Sequence, residues 1–314
     1  MVLLHGLEIV ADKRLPLVQS LAQHFGVEII HADLNSFADT ESIIQVENPE
    51  RIKGKLVLLV PQFSFSSSIN DQLMQVLLLA HQVKAHRAIG IVCLMPYLAY
   101  ARQCRSVDGA YIGSLQAIGL FCKAVGIDHV FACETHEALC VSTFPLPLHD
   151  ISLTELWYET LRKDLSPDDL KNSCFVSPDR GGIDRAKQLA KKFDSPWAFV
   201  EKKRVEFDRS VAVNLVGDVE GKVVIIIDDI VDTGRTAVEA TRLVLKNGAT
   251  KVLGCFSHAV LSGDSVVCLE KSSIERIWLT NSVALSNVVL GEKFNSISID
   301  NIVIRNFDNF LKRG

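Results

Sequence analysis

Short apolar runs alternate with amphipathic stretches along most of the chain. The runs at 56–60, 88–94 and 223–227 consist almost entirely of apolar residues, the pattern of strands that are buried on both faces. At 16–25 the apolar residues recur at helical spacing, and Gly26 follows as a typical helix end. Strands that alternate with helices in this way predict an α/β fold with a mainly parallel sheet.

The same pattern predicts the other elements. Further strands are expected at residues 2–4, 27–31, 129–133, 174–177, 197–200 and 251–256. Further helices are expected at 70–83, with Asn70-Asp71 as the cap, and at 111–125, 183–193 and 236–245.

A repeat indicates two domains. The order strand, loop, helix, strand at 56–94 returns at 223–256, an offset of about 165 residues, as expected for a duplicated α/β unit. The chain of 314 residues is long enough for both copies. The join is predicted at the Pro-Leu-Pro of residues 145–147, whereas the last segment, 296–311, has no pattern that assigns it to either half.

Composition narrows the class of protein. Hydrophobic residues make up 48% and charged residues 22%, which is typical of a globular chain, and no apolar run is long enough to span a bilayer. The formal net charge of −4 argues against a nucleic-acid-binding surface. Eight scattered cysteines without a Cys-x-x-Cys pair, and no signal peptide, favour a cytoplasmic protein with buried thiols.

The stretch 223–236 has the most specific chemistry. An apolar strand is followed by Asp228 and Asp229 at its carboxyl end, then by the turn Asp-Thr-Gly-Arg-Thr at 232–236, and then by a helix. Such a turn points backbone N–H groups at one spot, which predicts a site for one phosphate, and the two carboxylates are placed to accept sugar hydroxyls. The alternative is an acidic strand end followed by a helix that Thr236 caps. A Walker loop is excluded, because no Gly-x-x-x-x-Gly-Lys occurs.

Other segments add candidate residues. Asp179 follows a strand at the start of a Gly181-Gly182 turn, where it would bind Mg²⁺ directly or through water. The segment EKKR at 201–204 is predicted to be a basic loop, because it has neither strand nor helix periodicity. Its three cations are suited to neutralise transferring phosphates, and a solvated basic loop without a function is the alternative. Arg102 with Gln103 is suited to phosphate contacts, and His136 to a metal or a phosphate; a surface Arg and a structural His are the alternatives.

These segments, in this order, resemble the ribose-phosphate diphosphokinases, or 5-phosphoribosyl 1-pyrophosphate (PRPP) synthetases, nearly end to end. The turn after Asp229 is similar to the PRPP loop of type I phosphoribosyltransferases. The matching segments are FADTE at 37–41, NDQLM at 70–74, PYLAYARQ at 96–103, His136, SPDRGG at 177–182, EKKR at 201–204, DDIVDTG at 228–234 and SHAVLSG at 257–263.

The resemblance implies a fold and an assembly. It implies α/β architecture with two tandem type I phosphoribosyltransferase-like domains, each a mainly parallel sheet flanked by helices. The N-terminal domain would be 1–146, joined by the C-terminal tail at about 297–314. The domain at 147–296 would carry the ribose 5-phosphate site. A homo-oligomer, dimer or hexamer, is implied as well.

The resemblance also assigns roles to residues. Lys202 and Arg204 would act in the transition state, and Mg²⁺ would be held at His136 and Asp179. The implied ATP-binding residues are Phe37, Asp39, Glu41, Arg102, Gln103 and His136, the first three holding the adenine of a neighbouring subunit's ATP. The implied ribose 5-phosphate-binding residues are Asp228, Asp229, Asp232, Thr233, Gly234, Arg235 and Thr236.

The implied reaction is transfer of the pyrophosphoryl group of ATP to the anomeric hydroxyl of ribose 5-phosphate, giving PRPP and AMP for nucleotide biosynthesis. No nucleic acid or membrane partner is expected. The sequence departs from the family pattern at Cys104, where Asp is usual, at Glu134-Thr135 before His136, at 137–140, and in a shorter loop at 105–114. Two alternatives therefore stay open: an impaired, regulatory relative of the synthetases, and a phosphoribosyltransferase that consumes PRPP.

Overall fold

The computed structural model describes residues 6–105, 113–206, 209–285 and 288–313, with the side chains of 202–213 outside that description. The chain divides into two compact units. One contains the residues up to Ile151 together with those from Ile299 onward, and the other is Ser152–Ser298. Within the described ranges no helix is both long enough and apolar enough to cross a membrane.

The first unit is built on a seven-stranded sheet. Its strands are β1 (Leu7–Ala11), β2 (Ile29–Ser36), β3 (Ser42–Val46), β4 (Leu56–Leu59), β5 (Gly90–Leu94), β6 (His129–Cys133) and β7 (Leu148–Ile151). Their order is β3-β2-β1-β4-β5-β6-β7, and every pair is parallel except β2 with β3. The helices between them are α1 (Pro16–Phe25), α2 (Ile69–Ala85), α3 (Ser114–Ala124) and α4 (Ala138–Thr143).

The second unit repeats this topology. Its helices are α5 (Thr154–Asp164), α6 (Pro167–Lys171), α7 (Ile183–Phe193), α8 (Arg235–Lys246) and α9 (Ser265–Glu270). Its strands are β8 (Ser173–Ser177), β9 (Trp197–Glu206), β10 (Arg209–Val216), β11 (Val223–Val231), β12 (Lys251–Ala259), β13 (Arg276–Thr280) and β14 (Phe294–Ile297). The order β10-β9-β8-β11-β12-β13-β14 matches the first sheet strand for strand, including the antiparallel edge pair. The α/β fold with two mainly parallel sheets is therefore confirmed.

The last helix, α10 (Asp300–Arg313), belongs to the first unit. Phe307 is 1% exposed, and its ring lies edge-on to Phe25 at 5.5 Å and to Phe131 at 5.7 Å. Ser20 donates a hydrogen bond to Asp300 at the start of the helix, with 2.6 Å between the oxygen atoms. Side-chain packing, which the periodicity of the segment does not contain, decides this placement.

Several sequence predictions need correction. The predicted strand at 2–4 lies outside the described residues and stays a prediction, and the first described strand is Leu7–Ala11. The side chain of Ser68, not Asn70-Asp71, caps α2 by accepting a hydrogen bond from the backbone N–H of Asp71. Five strands were not predicted: β3, β7, β10, β13 and β14. Of these, β3, β7 and β14 are short and half-exposed and lack a continuous apolar run.

Candidate functional site

The turn between β11 and α8 is the centre of the candidate site in the second unit. Gly234 lies at the helix N-cap with φ +74°, and a Cβ there would come within 3.0 Å of Leu269. Gly234 therefore provides a backbone conformation that other residues adopt only with strain. Thr233 and Arg235 are exposed at this turn, and Thr236 is half-buried. The first backbone N–H groups of α8 lack intrahelical acceptors, so the turn is suited to an anion.

The position of the helix start corrects the alternative that Thr236 caps it. The helix begins at Arg235, the N-cap is Gly234, and no side chain caps the helix. The backbone carbonyl of Asp232 accepts from the N–H of Ser262, with 3.1 Å between the atoms, which ties the turn to the segment after β12.

The paired acids lie inside β11 rather than after it. Strand β11 continues to Val231, so Asp228 and Asp229 are paired in the sheet and are only 9% and 3% exposed. The backbone N–H of Asp229 donates to the Asp228 carboxylate across 3.1 Å. Burial, followed by the charges of Asp229 and Asp179, raises the pKa of the Asp228 carboxyl well above its usual range. Negative charge is therefore concentrated here, where a cation or hydroxyl donors would lower its energy.

Arg185 of α7 contacts both acids. Its Nη1 lies 3.1 Å from Oδ1 of Asp229 and 3.9 Å from Oδ1 of Asp228, and its side chain is only 12% exposed. Sequence reasoning missed this residue. The available signal was a cation in the first turn of a helix, where the helix dipole disfavours positive charge.

The turn after β8 brings Asp179 near the same acids. Oδ1 of Asp179 accepts from the backbone N–H of Gly181 at 2.9 Å and of Gly182 at 3.4 Å. The hydroxyl of Ser177 donates to the backbone carbonyl of Asp179 at 2.7 Å. These hydrogen bonds hold the Asp179 carboxylate in one orientation at the carboxyl end of the sheet, as expected for a ligand-binding edge.

The basic segment at 201–204 is strand rather than loop, which corrects the sequence interpretation. Its backbone belongs to β9, and Lys202 and Arg204 pair with Ala212 and Ser210 of β10. The side chains of Lys202 and Arg204 lie outside the described residues. At the start of the segment, Glu201 forms an ion pair with Arg180.

In the first unit, residues 37–41 form the tip of the β2–β3 hairpin. The backbone N–H of Phe37 donates to the carbonyl of Glu41 at 2.8 Å, and the N–H of Glu41 donates to the Asp39 carboxylate at 3.1 Å. Thr40 adopts a left-handed conformation with φ +74° to close the tip. The ring of Phe37 is 55% exposed, which leaves an aromatic face available for contact.

Arg102 and Gln103 border a cavity of about 200 Å³ in the first unit. Both are exposed on a single turn of 3₁₀ helix, Ala101–Gln103, which follows Tyr100 at φ +65°. The hydroxyl of Tyr100 donates to the side chain of Asn70 at 2.6 Å. The other residues that line the cavity are Phe65, Ile69, Tyr97 and Tyr100. An arginine beside an aromatic-lined cavity suits a phosphate or an aromatic ring.

His136 follows β6 in a tightly bonded turn and is half-buried. Glu134 adopts φ +43°, and Thr135 donates to the Asp150 carboxylate from its backbone N–H and its hydroxyl, at 2.9 and 2.8 Å. Asp150 therefore orients the turn that presents His136.

Three departures from the family pattern, at Cys104, Glu134-Thr135 and 137–140, lie at or beside this turn, whereas residues 106–112 of the shorter loop lie outside the described residues. Cys104 is buried next to Cys140, and burial raises the pKa of the Cys140 thiol to about 12. Arg105 forms an ion pair with Glu137 at 2.6 Å, at the start of α4.

No cluster of three or more His, Cys, Asp or Glu side chains is arranged to hold a metal within the described part of the chain. Mg²⁺ in proteins is commonly bound by one or two carboxylates together with substrate phosphates and water.

Comparison with known proteins relates both units to one family. Residues 9–122 match the N-terminal domain of ribose phosphate pyrophosphokinase, and residues 148–277 match the phosphoribosyl transferase domain. A ribose-phosphate pyrophosphokinase 1 of Listeria monocytogenes is 32% identical over 283 residues, 90% of this chain and 87% of the relative. The ribose-phosphate pyrophosphokinase of Aquifex aeolicus is 30% identical over 300 residues, 95% of this chain and 93% of the relative.

A solved structure supports the fold. The crystal structure of phosphoribosylpyrophosphate synthetase from Mycobacterium smegmatis aligns with a TM-score of 0.86 and 23% identity. The alignment covers 98% of this chain and 100% of that one.

Proposed function

The chain belongs to the ribose-phosphate pyrophosphokinase family, and from this membership we propose how its own residues perform the family's reaction. The chain is a ribose-phosphate diphosphokinase. It transfers the pyrophosphoryl group of ATP to the anomeric hydroxyl of ribose 5-phosphate, which gives PRPP and AMP for nucleotide biosynthesis.

Ribose 5-phosphate is proposed to bind at the carboxyl end of β11. The 5-phosphate would lie on the turn formed by Asp232, Thr233, Gly234, Arg235 and Thr236, because backbone N–H groups and the helix dipole favour an anion there. Asp228 and Asp229 would accept hydrogen bonds from the ring hydroxyls. The observation that carries this proposal is the pair of buried acids held by Arg185 next to an exposed, glycine-capped helix start.

ATP is proposed to bind to residues of the first unit. Arg102 and Gln103 border the cavity beside Tyr97 and Tyr100, and the exposed ring of Phe37 with Asp39 and Glu41 suits an adenine. This adenine would belong to an ATP molecule that a neighbouring subunit of a homo-oligomer binds. Lys202 and Arg204 would stabilise the charge that spreads over the transferring phosphates.

Mg²⁺ is proposed as the cofactor. Burial, followed by the negative charges of Asp229 and Asp179, raises the pKa of Asp228, which fits a nearby cation. The oriented Asp179 carboxylate is a donor that Mg²⁺ prefers. Bound Mg²⁺ would neutralise part of the negative charge of the ATP phosphates. Asp179 would hold it in the second unit, and the assignment of His136 as a ligand stays a prediction. A cytoplasmic location is proposed as well, since all eight cysteines are free.

Product analysis tests the function. The purified protein with ATP, Mg²⁺ and ribose 5-phosphate should release AMP and PRPP in equal amounts, and it should release neither when ribose replaces ribose 5-phosphate. Asp229→Asn should abolish most of the activity, whereas the matched change Asp218→Asn in the turn before β11 should not. Absence of AMP would remove the synthetase assignment; stimulation of a separate synthetase instead would favour the regulatory alternative.

A further inference from the structure

Arg185 occupies a position that local helix chemistry disfavours. It is the third residue of α7, whose N-cap is Gly182, and the helix dipole makes a cation in the first turn unfavourable. The cations in the last turn, Lys191 and Lys192, follow the usual preference. A residue that breaks a local rule is commonly compensated by a tertiary interaction, often at a functional site.

The compensation comes from two acids that one guanidinium nitrogen approaches together. Consecutive side chains of a regular strand point to opposite faces, so Asp228 and Asp229 are not expected to converge. Nevertheless Nη1 of Arg185 lies within 3.1 Å of one carboxylate and 3.9 Å of the other. With all three side chains nearly buried, this contact orients the carboxylates as much as it balances their charge.

Gly182 allows the cluster to form. A Cβ at this position would lie 2.6 Å from the hydroxyl of Ser177, 3.4 Å from Nη1 of Arg185 and 3.6 Å from Oδ1 of Asp228. The turn after β8 therefore packs directly against the arginine and the acids, and only glycine fits there without displacement. The geometry has little freedom to relax if the arginine is lost.

We propose that Arg185 is a positioning residue for the pentose. It holds the Asp228 and Asp229 carboxylates in the orientation in which both accept hydrogen bonds from the vicinal hydroxyls of ribose 5-phosphate. An ionised carboxylate has about four acceptor sites, so the Asp228 carboxylate keeps capacity for a sugar hydroxyl beside Arg185 and the N–H of Asp229. The inference rests on the proposed ribose 5-phosphate site, and it adds that discrimination in favour of the 2-hydroxyl depends on Arg185.

The test measures binding of ribose 5-phosphate and of 2-deoxyribose 5-phosphate by calorimetry, together with KM and kcat. The variants are Arg185→Gln, Arg185→Lys and the control Lys191→Gln, which removes an exposed cation from the same helix. In Arg185→Gln we expect the Kd for ribose 5-phosphate to rise about 10–100-fold, the range for a lost charge-assisted hydrogen bond. The KM for ATP should change less than about twofold, since both acids that the arginine pairs with are assigned to the sugar.

Binding of 2-deoxyribose 5-phosphate distinguishes a positioning role of Arg185 from a general loss of structure in the variants. The ratio of the two sugar affinities should fall towards one in Arg185→Gln and should stay at the wild-type value in Lys191→Gln. Arg185→Lys keeps the charge but lacks the planar fork, so an intermediate ratio is expected. If Arg185→Gln does not fold, Arg185→Lys decides the question by the same ratio.

The outcomes distinguish the two levels of the proposal. The role of Arg185 is overturned if wild-type protein binds ribose 5-phosphate and both Arg185 variants keep the wild-type affinity and the wild-type ratio of the two sugar affinities. The proposed function then still stands. The role of Arg185 is also overturned if the variants lose kcat and thermal stability while the ratio of the two sugar affinities stays unchanged, because such a loss is a general structural effect. Wild-type protein that neither binds ribose 5-phosphate nor forms AMP overturns both.

Discussion

The imidazole rings of His129 and His149 lie one hydrogen bond apart, with Nδ1 of the first 3.1 Å from Nε2 of the second. They stand on the neighbouring strands β6 and β7, and His149 also stacks on Phe131 with 4.3 Å between ring centroids. Phe310 of α10 completes the cluster at 5.3 Å from His149. Burial, and then the charge of His129, lowers the pKa of His149 below its usual value.

This cluster predicts a loss of stability in mild acid. Because the folded pKa of His149 is below the unfolded value of about 6.5, the unfolded chain binds more protons as the pH falls past 6.5. The contribution of His149 is therefore complete above that value and decreases below it. Urea unfolding at pH 7.5 and 5.5 should show a smaller acid-induced loss in His149→Phe than in wild type. The exposed His81→Gln should behave as wild type, and equal losses in all three proteins would contradict the prediction.

The left-handed glycine of the turn proposed to bind phosphate, Gly234, predicts a specific loss of binding. Gly234→Ala places a Cβ at φ +74° and 3.0 Å from Leu269, whereas Gly221→Ala has similar strain at φ +68° with no atom within 4 Å. Both should lose about 1–2 kcal/mol of unfolding free energy from the strained backbone. Only Gly234→Ala should also raise the KM for ribose 5-phosphate, since its turn amides must shift. Steady-state kinetics beside thermal unfolding measures both effects, and an equal rise in KM for Gly221→Ala would argue against the site.

The cysteines are predicted to be unreactive in the native protein. Burial raises the pKa of Cys122 to about 12 and that of Cys174 to about 11, and the thiolate is the reactive form. Of the eight free cysteines, seven are buried and Cys268 is half-buried. Labelling with a thiol reagent at pH 8 should therefore modify Cys268 first, and all eight only after unfolding. Rapid native labelling of Cys122 or Cys174, identified by mass spectrometry, would contradict this prediction.

Lys202 is predicted to act in the transition state. Lys202→Ala should lower kcat by at least about 100-fold, while the Kd for ribose 5-phosphate stays within a few-fold, because electrostatic stabilisation of developing charge acts on the chemical step. Lys203→Ala, which removes the adjacent cation, is the control and should retain most of kcat. Rapid-quench measurement of AMP formation checks this directly. A matched loss of sugar affinity and rate in Lys202→Ala would assign the residue to substrate binding instead.

Much of the fold follows from local pattern. Helix α7 begins and ends at the predicted residues, and Gly26 ends α1 as its sequence indicates, because amphipathic spacing and left-handed glycines are local signals. Strand β11 was predicted too short, since Asp228 and Asp229 mark a strand end by composition. Their burial depends on a cation from elsewhere in the chain, which no window of sequence contains.

The sequence by itself determined the class of fold, the duplicated strand–helix order and the place of the strand-to-helix turn at 232–236, because each depends on neighbouring residues. The periodicity of the last segment did not assign it to a unit, and the resemblance alone implied the first; the tertiary structure shows that α10 packs there through Phe307. Only the tertiary structure showed that Arg185 reaches both acids of β11. The physical reason is that packing and ion pairing join residues far apart in the chain. Their partners are set by the approach of whole elements, not by any periodicity within them.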